Sequence, residues 1–299
     1  MTFTIATSLV EVLAAMADGA RPIAGGTDLV VSARQGKASL PVDLVAIDRI
    51  EELAGIDSTD TGLTIGAGVT HAQLMQDLSI VDHYSALADA AALVGSPSTR
   101  NIGTIGGNIM NASPAMDTGA PLVVLGATIE LQTASGTRSI AIGELWTGPA
   151  KTSASEDELC VSLNLPSQPD RTGSAYVRLE YRRAMEIAIV GAAARVSLND
   201  DETVAAIQVA LTAVAPTILA VDGLSAIEAK PIDEATLAAV ANLASEQASP
   251  ISDVRASDAY RRHTVGVMAR RAVDAAARRA RGESIAVPVN RALGIGAIQ

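Results

Sequence analysis

Aromatic rings, metal-ligating side chains and positive charge are all scarce in this 299-residue chain. It holds one Trp, four Tyr and one Phe, one Cys and three His, and its formal net charge is −11. A single cysteine, Cys160, excludes an internal disulfide framework and any four-cysteine zinc or iron–sulfur site. His71, His83 and His263 stand far apart, with no HExxH or HxxxH spacing and no cysteine pair to complete a ligand set. If the protein handles electrons, it carries no metal of its own. The acidic balance, with a pI near 4.7, argues against general nucleic-acid binding, which needs an excess of Lys and Arg against phosphate. Six rings also leave little for base stacking. No run of ~18 apolar residues is available to span a bilayer. The opening MTFTIATSLVEVLAAMADG has no basic region and contains Glu11 and Asp18, so it does not read as a signal peptide. The expectation is a soluble, cytoplasmic protein.

The length suggests about two domains on a prior of one per ~150 residues, with ample surface to bury proper cores. Ser8 and Glu11 have capping-box spacing, and Leu9, Val12, Leu13 and Met16 recur at helical period up to Gly19, predicting a short helix. Arg21-Pro22-Ile23-Ala24, then Gly25-Gly26-Thr27-Asp28, then a helical pattern through Leu29, Val30 and Ala33 read as strand, glycine turn and helix. PVDLVAI at 41–47 reads as another strand, so the first ~55 residues form a small α/β unit.

From Leu63, LTIGAGVT predicts a strand, Thr70 with Gln73 repeats the capping-box spacing, and SALADAAALVG predicts a helix ending at Gly95. RNIGTIGGNIMNASPAMD, at 100–117, follows neither period and is long enough to read as a functional loop. APLVVLGA reads as a buried helix. ATIELQT alternates, and with TRSIAI and LCVSLNL it predicts an antiparallel sheet with one wet face. Pro166 to Ser174 reads as a linker. IAIVGAAARVSL and VAAIQVALTAV, about Asn199-Asp200-Asp201, read as a β-hairpin, and Asp233 to Ala280 as mainly helical. The fold class is therefore α+β, divided at 1–56, 57–170 and 171–286, with a tail over 287–299.

Charge is uneven. Positions 255 to 281 hold eight of the nineteen arginines and only Asp258 and Asp274 as acids. Two readings stay open, a solvated helix with a basic face or a docking surface for an acidic partner subunit, with the first preferred.

Two glycine clusters bear on chemistry, Ala24-Gly25-Gly26-Thr27-Asp28 and Thr104-Ile105-Gly106-Gly107-Asn108. Glycine lets a backbone approach an anion closely, and successive N–H groups or a helix N-terminus can then cradle phosphate oxygens. Neither cluster is GxGxxG, and neither ends in Gly-Lys-Ser/Thr. Taken singly, each is more often a tight turn than a ligand site.

Together, AGGTDL at 24–29, TIGGNIMNASPAMD at 104–117 leading into APLVVLGA, ELCVSLNLP at 158–166 and YRRAMEIAIVGAAARV at 181–196 resemble, in order, the FAD-binding medium subunit of molybdenum hydroxylases. This is the xanthine dehydrogenase and carbon monoxide dehydrogenase family, whose flavin domain is of the vanillyl-alcohol-oxidase type. The resemblance extends to about position 285. It implies a two-part FAD-binding domain followed by a C-terminal hairpin sheet with helices.

The resemblance also implies site residues. The first loop's amides would hold the FAD pyrophosphate over Pro22, Ile23, Ala24, Gly25, Gly26, Thr27, Asp28 and Leu29, with side-chain contacts from Thr27 and Asp28. The second loop would clasp the cofactor through Thr104, Ile105, Gly106, Gly107 and Asn108. Asp117 would bond its sugar portion, and Cys160 and Arg178 would lie near the flavin. At the last two positions the family usually has an apolar residue and often a lysine. A cation at Arg178 beside the flavin N1–C2=O edge would favour the anionic reduced form.

Simpler roles stand beside these. Asp117 can be a helix N-cap, Cys160 a buried small residue, His71 a surface or capping residue at a helix start, and Arg182 with Arg183 a solvent-facing pair. No nucleophile, base and orienter come together, so no catalytic residue is expected on this chain.

The function implied is electron transfer through FAD within a heteromeric molybdenum hydroxylase. A large molybdopterin subunit would perform the substrate chemistry and a small subunit with two [2Fe–2S] clusters would relay electrons, the whole as a dimer of heterotrimers serving an external acceptor. The alternatives are a self-sufficient FAD-dependent oxidoreductase of the same fold superfamily and a flavin-free structural subunit.

Overall fold

The computed structural model describes residues 2–182 and 184–295. Arg183 and the last four residues of the expected tail lie outside the described residues. The architecture is α+β, with three sheets and a two-stranded ribbon.

The first sheet is parallel, in the order Thr2–Ile5, Asp43–Ala46, Arg21–Ile23. Helix Leu9–Ala17 buries Val12, Leu13 and Met16 in a core that includes Val45 of the central strand. Its cap is offset from the expected box. Ser8 accepts from the Glu11 amide, but the Glu11 carboxylate accepts from the Thr7 amide at 2.7 Å, one residue before Ser8. Strand Thr2–Ile5 is exposed along its whole length.

The second sheet is antiparallel and five-stranded, in the order Ile56–Thr59, Gly62–Gly66, Leu159–Pro166, Thr128–Thr133, Gly136–Ala141. The alternation of ATIELQT points Ile129 and Leu131 into a core shared with helices Ser85–Leu93 and Gly119–Val124. The capping box of Thr70 and Gln73 is complete, with each side chain bonded to the other's backbone.

The third sheet runs Thr172–Leu179, Val190–Leu198, Val204–Thr212, Leu219–Ala220. Tyr176, Ala193 and Ala210 stand side by side and pack into the second sheet's core. Their neighbours Val177, Ala192 and Val209 join the opposite core beneath helices Glu234–Gln247 and Asp258–Ala280. Burial on both faces explains why these strands read as nearly unbroken apolar runs.

Two expectations are corrected. The loop at 100–117 contains a helix, Ile105–Met110, N-capped by Thr104. Its glycines hide it from a propensity reading, yet Gly106 is there for packing, because a Cβ would lie 2.6 Å from that of Ala67. The linker is shorter than Pro166 to Ser174, since Thr172 already opens a strand. Gly173 lies flush against the long helix, where a Cβ would stand 2.2 Å from the Ala276 carbonyl oxygen. Gly173→Ala is expected to lower stability by about 2 kcal/mol through this overpacking, read as a lower urea midpoint.

The basic segment keeps most of its arginines at the surface, in line with the preferred solvated reading, but pairs them within the chain. Seven of its eight arginines are paired within the chain, to Asp253, Asp258, Glu234, Glu283, Asp89 or Glu202. Two of the seven, Arg261 and Arg279, have almost no exposed side chain. Asp89, wholly buried, accepts from both Arg279 Nη atoms, the Tyr176 amide and the Val289 amide. That one carboxylate ties together a helix of the second core, the third sheet, the long helix and the C-terminal segment. Buried carboxylates persist when so fully bonded.

Among the described residues no helix is long and apolar enough to cross a membrane, and no group of three or more His, Cys, Asp or Glu could hold a metal ion.

Candidate functional site

The first glycine turn leaves strand Arg21–Ile23 and enters helix Leu29–Arg34. Gly26 adopts φ +64°, a left-handed conformation that glycine accepts without strain. The amides of Gly25, Gly26, Thr27 and Asp28 donate to no group among the described residues. Asp28 occupies the N-cap position but makes no side-chain cap bond. The result is a run of unpaired N–H donors at a helix start, an arrangement that favours anions.

The second segment is pressed against the first. A Cβ on Gly25 would fall 2.0 Å from the Ile102 carbonyl oxygen, and one on Gly103 would lie 3.4 Å from Thr27 Oγ1. Two clusters far apart in sequence thus meet backbone to backbone. Gly25→Ala is expected to force them apart, speeding hydrogen exchange over 102–107 and costing about 1–3 kcal/mol of stability.

The two clusters differ in what they offer. The Ile105 amide donates to Val69 O, Gly106 to Ala67 O, Gly107 to Thr104 Oγ1 and Asn108 to Thr104 O, all within 3.1 Å. None of these four amides is left for a ligand. What the second segment presents is space and a side chain. Apart from its chain neighbours, its own helix's backbone and Thr104 Oγ1, at 3.1 Å, no described atom lies within 4 Å of a Cβ built on Gly107. Asn108 Oδ1 accepts from the Thr118 hydroxyl at 2.6 Å, while its Nδ2 donates to nothing among the described residues.

Asp117 is not a helix cap; Thr118 holds that position. Its carboxylate is buried, with Oδ1 accepting from the Tyr176 hydroxyl at 2.8 Å and Oδ2 from Arg178 Nη1 at 2.6 Å. Arg178 is fully buried and also donates Nε to Glu180 Oε2 at 2.7 Å. Its Nη2 lies 2.6 Å from the same oxygen but outside hydrogen-bond geometry, so that contact is an ion pair only. Burial opposes the Arg178 charge, and the carboxylates of Asp117 and Glu180 more than offset it, raising its pKa. Enclosed between two acids, Arg178 is not an open cation awaiting a flavin edge, and that expectation is revised.

Sequence reasoning missed Tyr176, Glu180 and Asn290. Strand Thr172–Leu179 is a sheet edge, and Asn290 covers it at Arg178, accepting from the Arg178 amide at 3.0 Å and donating to its carbonyl at 2.8 Å. The expected tail therefore docks at 289–290, where both residues are buried. No local signal marks Asn290, because its partner is 112 residues away.

Cys160 faces Leu131 across the second sheet, and burial pushes its thiol up to about 12. It is a packed small side chain, inert as a nucleophile. Tyr181 and Arg182 are exposed, and Arg182 pairs with Glu186 at 3.3 Å. His71, expected at the surface or as a cap, is buried.

Comparison with known proteins finds two family models in tandem. "FAD binding domain in molybdopterin dehydrogenase" matches residues 1–168, and "CO dehydrogenase flavoprotein C-terminal domain" matches 175–276. The chain is 31% identical over 283 residues to a xanthine dehydrogenase FAD-binding subunit of Escherichia coli, covering 93% of this chain and 96% of that one. It is 32% identical over 273 residues to the carbon monoxide dehydrogenase medium chain of Afipia carboxidovorans, covering 91% and 94%. Among solved structures, a carbon monoxide dehydrogenase from Hydrogenophaga pseudoflava superposes with a TM-score of 0.88 at 30% identity, covering 92% of this chain and 96% of that one.

Proposed function

Because this chain belongs to the FAD-binding medium-subunit family of the molybdenum hydroxylases, we propose that it is the electron-transfer subunit of such a complex in the cytoplasm. On this reading it stands between [2Fe–2S] clusters of a small subunit and an external acceptor, and a large molybdopterin subunit carries the substrate chemistry. The assembly is a dimer of heterotrimers. Residues 1–56 and 57–170 make the two halves of the FAD unit, and 171–286 the C-terminal unit.

The observation that supports this best is the row of unpaired amides from Gly25 to Asp28, facing a segment in which Gly107 leaves open space and Asn108 keeps a free donor. These residues fit a dinucleotide. The four amides and the helix start would take the pyrophosphate, Asn108 Nδ2 would donate to it from the other side, and Thr104 would hold the Gly107 turn in shape. Asp117 would accept from the cofactor's sugar portion through its remaining lone pairs. Arg178 is a positioning residue whose Nη1 holds that carboxylate and counters the upward shift that burial gives it, and Cys160, buried in the second sheet's core, would lie near the flavin. Bound FAD supplies a carrier that takes electrons singly and releases them singly or in pairs. The chain's own share is to bind and orient it. On this reading, electrons from an iron–sulfur centre arrive from another chain.

Purification of the native complex tests the proposal. The expected result is a yellow chain accompanied by a large molybdenum-containing and a small iron-containing subunit. A lone chain that turns over a small organic substrate would establish the self-sufficient oxidoreductase instead, and one that stays colourless after FAD is added would establish a structural subunit.

A further inference from the structure

His71 is 2% exposed and has no role in the assembly of the site described so far. It opens helix His71–Leu74, but Thr70 supplies the cap, so capping does not explain its burial. Its own amide donates to the Gly103 carbonyl at 3.0 Å, and Thr70 bridges Thr104, which stitches 70–71 to the start of the second glycine segment. A Cβ on Gly103 would lie 3.4 Å from His71 Cδ2 and 3.4 Å from Thr27 Oγ1. The imidazole and the Thr27 hydroxyl therefore converge on one glycine, where the two loops meet.

Nδ1 is sealed from solvent and has no hydrogen-bond partner among the described residues. A sealed N–H is a rarer and costlier orphan than a sealed lone pair. The neutral ring accordingly keeps its proton on Nε2, the nitrogen bonded to Cδ2, on the edge turned toward Gly103 and Thr27. Burial, aided by the nearby Arg100 charge, lowers the His71 pKa to about 4, so the ring is neutral near pH 7. The ring thus offers one uncharged N–H donor at the loop junction, beside the Thr27 hydroxyl.

We propose that His71 is a further cofactor-contacting residue, donating Nε2–H to a phosphate oxygen of the dinucleotide where it crosses from the Gly25–Asp28 amides to the second glycine segment. This inference rests on the FAD reading above. A neutral donor suits the place, because it adds direction to the oxygen's bonding without placing a second buried charge near Arg100.

The test compares wild type, His71→Phe and His71→Asn in two measurements, urea unfolding of the FAD-free protein and titration with FAD. His71→Phe keeps a ring and removes both nitrogens, including the orphan, so its urea midpoint should equal or exceed that of wild type. Its Kd for FAD should rise ~10-fold, the size of one hydrogen bond to a charged acceptor, and His71→Asn should recover part of the loss. In wild type labelled with ¹⁵N-histidine, the Nε2 resonance of His71 should shift on FAD addition, a readout independent of whether either variant folds. An FAD Kd for His71→Phe within twofold of wild type, or an unmoved resonance in FAD-loaded wild type, would overturn the proposal. Failure of the FAD reading would look different, because wild type itself would then take up no FAD.

Discussion

Gly107→Val is expected to yield a folded protein that retains no flavin. Gly107 is exposed in helix Ile105–Met110, and a Cβ there would meet, apart from its chain neighbours and its own helix's backbone, only Thr104 Oγ1, at 3.1 Å. The fold therefore has room for it, and replacing glycine inside a helix costs nothing in propensity. The added branches project instead into the space proposed for the dinucleotide between the two glycine segments. Unfolding in urea should stay within about 1 kcal/mol of wild type, while visible flavin absorbance of the purified protein disappears. Full flavin content in this variant would mean that the cofactor does not pass Gly107. The contrast with Gly25→Ala is informative, since that Cβ collides with backbone and should disturb the loops whether or not a cofactor is bound.

Arg178→Met should produce the largest loss of stability, about 3–5 kcal/mol, because it leaves the buried carboxylates of Asp117 and Glu180 without their shared cation. The pH dependence of the deficit has a definite sign. Burial already raises both carboxyls, and without Arg178 they rise further above their unfolded values of roughly 4. A carboxyl whose pKa is higher in the folded state destabilises that state when ionised and ceases to do so once protonated. The gap between variant and wild type should therefore narrow on acidification from neutral pH, as measured by urea unfolding at several pH values. A constant gap would show that the loss comes from packing alone. Pairing Arg178→Met with Asp117→Asn should cost less than the sum of the two single changes, the signature of one coupled network.

Most of the elements were legible because their causes are local. Ser8 and Thr70 cap through residues three positions on, and ATIELQT alternates because one face of its sheet is buried. Where glycine obscured a helix, at Ile105–Met110, the determining contact lay elsewhere in the chain, at Ala67. The basic run at 255–281 hid its pairing for a related reason. Charge counted along a sequence does not reveal that Arg279 reaches Asp89, 190 residues earlier, or that Arg261 lies buried against Asp253.

The two glycine clusters show where local chemistry stops. Read as residues, both announce close backbone approach, and their order along the chain already carried the family and its cofactor. Which of their amides remain free is a matter of partners brought in by folding. Ala67 and Thr104 take up the amides of Gly106 and Gly107, whereas nothing among the described residues takes up those of Gly25 or Gly26. The placement of Arg178 between two acids, of Asn290 along a sheet edge and of His71 at the loop junction has the same origin. A side chain's type is written in the sequence, but its burial and its hydrogen-bond partners come from segments up to two hundred residues away, and those decide whether it is free to meet a ligand.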